Sequence, residues 1–245
     1  MNHPPLEVER ASEVRAQRPT VPRTPLVLHK WARGLFLFGL AAAACFVLTR
    51  ATILFLHSPD RGLPYAGRFA NSDNAEWTAY GGNWKIDDGS MENESNERGA
   101  KLVAGSPYWT DYTIQADVAL RSAGDAGIIA RVSDAEQGVD AYDGIYVGLR
   151  TRDQVLVIGA ADHGWSEYAH RALSPPIVPN AWYRMRVRLE GCRVDAIVTQ
   201  EDSTEMGKVS VTVDSCPVRG RIGLRSYDSG GIWKHVRVTK LAASD

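Results

Sequence analysis

Residues 34–56, GLFLFGLAAAACFVLTRATILFL, constrain the chain more than any other stretch, because no other segment is long and apolar enough to cross a bilayer. As a helix, these residues would reach roughly 34 Å, enough for a hydrocarbon core. Arg50 is the single charge inside the stretch and lies near its end, where a long side chain can carry its guanidinium to the headgroups. A buried core helix of a soluble protein is the competing reading, and Leu35 to Leu48 argue against it by offering no polar face to water. Two processing readings also compete. A cleaved secretory signal would use Lys30 and Arg33 as its basic flank and Ala42-Ala43-Ala44 as its small-residue site, and a lipoprotein signal would lipidate Cys45. The long stretch upstream and the apolar Phe46-Val47-Leu48 beyond either cut favour an uncleaved signal-anchor.

This helix divides the chain into an expected disordered tail (1–33), a transmembrane signal-anchor helix (34–56), a linker (57–69) and a β-sandwich domain (70–245). The tail carries Arg10, Arg15, Arg18, Arg23, Lys30 and Arg33 against Glu7, Glu9 and Glu13, although the whole chain has a net charge of only -1. Basic residues that flank the amino-terminal side of a span keep that side in the cytoplasm, so the domain beyond it is expected in the periplasm or outside the cell. Pro4, Pro5, Pro19, Pro22 and Pro25, with little apolar periodicity, make the tail read as disordered. Nucleic acid is excluded as a partner by export and by the absence of a basic face.

Export also frames the cysteines. With Cys45 inside the span, Cys192 and Cys216 are the one pair in the domain, and an oxidising compartment favours their disulfide. Two buried, reduced thiols are the other reading.

From Trp77 onward, short alternating runs recur between Gly, Asp, Asn and Pro, with no helical period. Strands are predicted near 83–92, 100–104, 111–121, 126–132, 143–150, 154–160, 165–173, 182–190, 193–200, 208–214, 220–227 and 232–240. Their number and spacing suit two antiparallel sheets packed face to face. Several runs in succession carry a resemblance: Trp77 to Gly89, Asp111-Tyr112-Thr113-Ile114, Gly127 to Arg131, Tyr146 to Leu149, Trp182 to Val187, Gly220 to Leu224 and Trp233 to Val238. Together they resemble the concanavalin A-like lectin/glucanase jelly rolls, especially laminin-G-like and bacterial 3-keto-disaccharide-hydrolase-like domains. The resemblance implies a jelly-roll sandwich and leaves lectin, glycosidase and adhesion functions open. Lys234-His235 stand where the family often has Asp-Asn, so a polar site there is not expected to carry over.

No nucleophile elbow, zinc-protease helix or phosphate loop is present. The cluster Glu201-Asp202-Ser203-Thr204-Glu205 lacks the spacing of the jelly-roll glucanases and reads as a solvated hairpin turn. Asp162-His163-Gly164 reads as a turn too. No cofactor is implied, and calcium enters only through Asp125, Asp140 or Asp143 with loop carbonyls. Sugar sites combine an aromatic platform with planar hydrogen-bonding groups. Strand parity sends Ile128, Ala130 and Val132 to the core, and puts Arg131, Tyr146 and Arg150 together on the opposite face among glycines. That face is the expected ligand-binding site, with Tyr142, Asp143, Trp109 and Trp165 nearby. A second cationic ridge, Arg184, Arg186 and Arg188, with Arg221 and Arg225 as its extension, reads as a solvated sheet face. The expected function is non-catalytic binding of a glycan or cell-envelope component by a membrane-anchored module, with a glycoside-cleaving enzyme or a structural adhesion domain as alternatives.

Overall fold

Alternation of branched and aromatic residues with polar ones drives the chain after residue 76 into strands, since each strand can then bury one face. The computed structural model describes residues 27–56, 62–69 and 76–241, and helix side chains from Leu35 onward. The expected disordered tail, up to residue 26, lies outside the described residues, as does most of the first half of the linker.

Helix α1 spans Val27–Leu56 and so begins earlier than the expected boundary; its stretch Leu35–Leu56 is long and apolar enough to cross a membrane. Every side chain from Leu35 to Leu56 is exposed, a distribution that water penalises and lipid does not. The Arg50 guanidinium lies 5.4 Å from the ring centre of Phe46, one turn back on the same helix.

The β domain forms a unit of its own, with strands numbered in chain order. One antiparallel sheet orders β13 (Glu205–Thr212), β12 (Arg193–Gln200), β11 (Tyr183–Glu190), β6 (Tyr112–Leu120), β15 (Gly231–Lys240), β4 (Ser90–Asn93) and β3 (Trp84–Asp87). The other orders β10 (Trp165–Ala172), β9 (Val155–Asp162), β8 (Asp143–Arg150), β7 (Asp125–Ser133), β14 (Arg221–Tyr227), β5 (Ala100–Ala104) and β2 (Thr78–Tyr80). A short strand β1 (Tyr65–Ala66) pairs with β15, so part of the segment read as linker belongs to the domain. The expected run 83–92 is a hairpin rather than one strand, turned at Asp88 and Gly89, both at positive φ.

Between the sheets lies the core, with Ile114, Val118, Val187 and Leu189 from one side and Ile128, Val147, Leu149 and Ile158 from the other. Trp233 Nε1 crosses it to donate to the Gly127 carbonyl at 3.1 Å, which satisfies an indole that would otherwise be buried unpaired. The face of the second sheet turned away from this core is also partly apolar: Val103, Ile129, Val132, Tyr142, Tyr146, Val155 and Val157 form a second buried cluster there.

Cys192 and Cys216 form a disulfide. The bond closes the chain that runs through β12 and β13 and anchors the segment after β13. Replacing both cysteines by Ser should lower the unfolding free energy by about 3 kcal/mol, the chain-entropy value for a loop of this length. Guanidinium denaturation of the variant beside the wild type measures it. An unchanged midpoint would mean that the loop is held by its packing alone.

Candidate functional site

Parity along β7 holds only as far as Ala130. At Arg131 the backbone adopts a positive φ of 52°, and the pairing of β7 with both β14 and β8 slips at this point. A bulge of this kind reverses alternation beyond it. Val132 therefore joins the outer cluster instead of the core, contrary to the expectation, and Arg131 leaves the outer face.

Arg131 is 1 % exposed and is spent on the scaffold. Its Nε donates to the Thr110 carbonyl at 2.8 Å, Nη1 to the carbonyls of Gly191 at 2.6 Å and Pro217 at 3.0 Å, and Nη2 to Asp111 Oδ1 at 2.8 Å. The open surface expected to carry Arg131 thus lacks it. Trp109 is also absent from that surface, being a core residue 1 % exposed and packed on Tyr65 and Tyr112. Tyr142 is buried under the loop that follows β7, where Lys101 Nζ donates to the Gly138 carbonyl at 2.8 Å.

Three of the expected residues do come together. Tyr146, Arg150 and Trp165 border one cavity of about 390 Å³ on the outer face of the second sheet, a size within the range of small-ligand sites. Trp165 meets Tyr146 edge-on with ring centres 5.8 Å apart, and it is 38 % exposed. Gly148, one of the glycines expected to leave room for a ligand, leaves room for the Tyr146 ring instead, and Gly159 on β9 does the same for Trp165. A Cβ on Gly148 would lie 1.9 Å from the Tyr146 hydroxyl, and one on Gly159 would lie 2.2 Å from the Trp165 ring.

The sequence offers Asp125 and Asp140 only as calcium candidates and Arg225 only as an extension of the cationic ridge; the structure brings the three together as the charged half of this cavity, with Arg98, Arg152, Tyr227 and Asp228 around them. Arg225 is buried; it donates to Asp140 Oδ1 at 2.5 Å and its guanidinium carbon lies 4.8 Å from the ring centre of Tyr146. The parity of β14 could have found it, since Ile222 and Leu224 face the core and Arg225 must then face away. The Tyr146 hydroxyl and Arg225 Nε are buried without a hydrogen-bond partner in the protein. Burial and then the neighbouring Asp125 push the Tyr146 phenol well above its usual range, so it remains a neutral donor.

Arg150 is held by Asp153, which accepts from Nε and Nη2 at 2.8 Å each, and by Glu167, which accepts from Nη1 at 2.7 Å. The arginine is therefore positioned before any ligand arrives. Asp143 lies at the far end of β8, in a different cavity, and the other two candidate calcium ligands are engaged or altered: Asp140 faces Arg225, and Asp125 is pushed towards its protonated form. Among the described residues no three His, Cys, Asp or Glu side chains come together to hold an ion. On the cationic ridge of the other sheet, Arg184 Nε donates to Asp117 at 2.8 Å and Arg188 to Glu190 at 2.8 Å. Residues 201–204 form the turn between β12 and β13, as read from the sequence.

Known proteins share this architecture. A family model described as the 3-keto-alpha-glucoside-1,2-lyase-like domain matches residues 68–239. Among solved structures, the carbohydrate binding module CBM66 from Bacillus subtilis superposes with a TM-score of 0.56 at 18% identity, covering 67% of this chain and 96% of its own. The exoplasmic/lumenal domain of VIP36, in a Ca2+/Man3GlcNAc-bound form, superposes with a TM-score of 0.54 at 13% identity, covering 69% of this chain and 86% of its own. A Bacillus subtilis protein of unknown function with a galectin-like fold gives 0.54 at 12% identity, over 71% and 94%. At these identities the likeness is one of fold. No curated protein sequence matches the chain.

Burial pushes the Asp125 carboxyl up to about 6, against a pull from Arg150 and Arg225. A raised carboxyl costs nothing below about pH 4, where it is protonated folded or unfolded. Between about pH 4 and 6 the folded state binds the extra proton, so stability falls as pH rises, and above about 6 the cost is constant. Asp125→Asn should therefore raise stability at pH 7 by on the order of 1–2 kcal/mol, discounted for partial exposure, and flatten that slope. Thermal unfolding of both proteins from pH 4 to pH 8 checks the sign; a variant less stable than wild type at pH 7 would contradict it.

Proposed function

The chain belongs to the 3-keto-alpha-glucoside-1,2-lyase-like domain family, and from that premise we propose that it binds carbohydrate on the outer face of the second sheet. One observation carries the reading: an exposed tryptophan stands over a cavity whose buried tyrosine hydroxyl and arginine Nε lack partners in the protein. A sugar ring offers an apolar face to stack on Trp165 and hydroxyls to pair with those groups. Arg150, already oriented by Asp153 and Glu167, adds a rigid hydrogen-bonding fork at little entropic cost. Tyr146 contributes its hydroxyl and supports the platform, while Tyr142 lies beneath it and Arg131 and Trp109 serve the frame.

The binding domain is held at a membrane by the single helix, with the amino-terminal tail in the cytoplasm and the sandwich outside it. The basic residues upstream of residue 34 support that orientation, as does a disulfide in the domain.

Cleavage of a glycoside is the second reading. It is favoured by Asp125, a carboxyl held near pH 6 in the same cavity and so able to exchange a proton at neutral pH.

The test is glucoside binding by the intact protein in lipid nanodiscs, which avoid glycoside detergents. Wild type should bind α- or β-glucosides, and Trp165→Ala should weaken binding at least about tenfold, the loss of one stacking contact of about 1.4 kcal/mol. The exposed ring should leave the fold intact. Unchanged affinity in that variant would place the sugar elsewhere, and consumption of the bound sugar would favour the enzyme.

A further inference from the structure

Another cavity, of about 940 Å³, opens at the opposite end of the same strands, lined by Val132 and Ala161 from the outer face and by Ala160, Tyr168 and Cys216 from the core side. Asp125 pairs with Arg150 at one end of β7 and β8, where the first cavity lies. Ser133, Asp143 and Asp162 are register partners at the other end, where the second lies. Trp165 borders both. Between the two ends Ile129, Tyr146 and Val157 are buried, so the exposed Trp165 is the side chain that the two cavities share.

The two ends differ in charge. The first has Arg98, Arg150, Arg152 and Arg225 against Asp125, Asp140 and Asp228. The second has Asp143, Asp162 and Asp214 against Arg219 alone. A chain of anionic sugars would be drawn to neither end strongly and would be repelled at the second. A chain of neutral sugars meets hydrogen-bonding groups at each end and an aromatic ring in the middle.

We propose that the two cavities are successive subsites of one groove, and that the ligand is a linear, neutral oligosaccharide that crosses Trp165 to occupy both. This rests on the carbohydrate reading of the first cavity and adds to it a chain length and a charge. Filling both cavities takes more units than filling the first, so affinity grows with the number of units until the second cavity is filled. Val218, an exposed residue on the wall of the second cavity, gives a way to block that end without touching the core.

The experiment is isothermal titration of the full-length protein in nanodiscs with neutral gluco-oligosaccharides from the monosaccharide to the hexasaccharide, and with a uronic-acid chain of matching length. Affinity should rise at least about tenfold from disaccharide to hexasaccharide, and the uronic-acid chain should bind at least about tenfold more weakly than its neutral counterpart. Val218→Trp should remove the gain with length while leaving disaccharide affinity as in wild type. Short sugars that bind as tightly as long ones would overturn the two-subsite groove and leave the first cavity's reading intact. So would a Val218→Trp variant that keeps the full gain. No binding at any length would overturn both readings together.

Discussion

One buried guanidinium decides how this domain is put together. Arg131 ties β7 to the segment before β6 through Thr110 and Asp111, and to the disulfide-closed segment through Gly191 and Pro217. Asp111 Oδ1 also accepts the Gly191 N–H at 2.9 Å, so the charge is paired inside a hydrogen-bonded network. A buried charge is tolerable only when paired and hydrogen-bonded; Asp111 is 46 % exposed, so it is the guanidinium that would be left without its counter-charge if the pair were broken. The price is local geometry: the backbone must take a positive φ at Arg131, and the resulting bulge turns Val132 to the outer face. The network also fixes the wall formed by Cys216 and Pro217 at the second cavity.

From that bulge to the other end of β7, the outer face has two layers of chemistry. Val155, Val157, Ile129 and the ring of Tyr146 exclude water from the floor, and the charges that remain there must be matched. Arg225 is matched by Asp140 and by the faces of Tyr146 and Tyr227. Lys101 is matched by two backbone carbonyls, and burial, followed by the nearby Arg225, brings its ammonium down to about 8. Polar groups kept dry in this way interact strongly with whatever completes them. This is why the Tyr146 hydroxyl and Arg225 Nε, both without protein partners, support a ligand-binding reading better than any exposed charge on the domain.

Much of the fold was legible because alternation is a direct consequence of burying one face of a strand. Strand β6 reads from Tyr112, Ile114, Ala116 and Val118, all now in the core. Strand β2 was not legible, since its three residues are exposed or half-buried and carry no pattern. The site was legible in part. Parity correctly placed Tyr146 and Arg150 opposite the core, and an isolated Trp165 beside a turn suggested a rim. Parity failed at Arg131 because a bulge leaves no periodic mark, and Gly148 misled because it receives the Tyr146 ring from its own strand. Asp125 and Arg225 were not joined to this site because nothing in the sequence shows that β14 lies beside β7.

The most direct measurement follows the indole N–H signals of the seven tryptophans in ¹⁵N-labelled protein during titration with a gluco-oligosaccharide. Trp233 and Trp109 are buried in the core, and Trp182 lies on the other sheet under Lys234. Carbohydrate binding on the outer face of the second sheet predicts a saturable shift of the Trp165 signal with the buried indoles unmoved. A shift confined to Trp182, or saturable binding that leaves Trp165 unmoved, would contradict it.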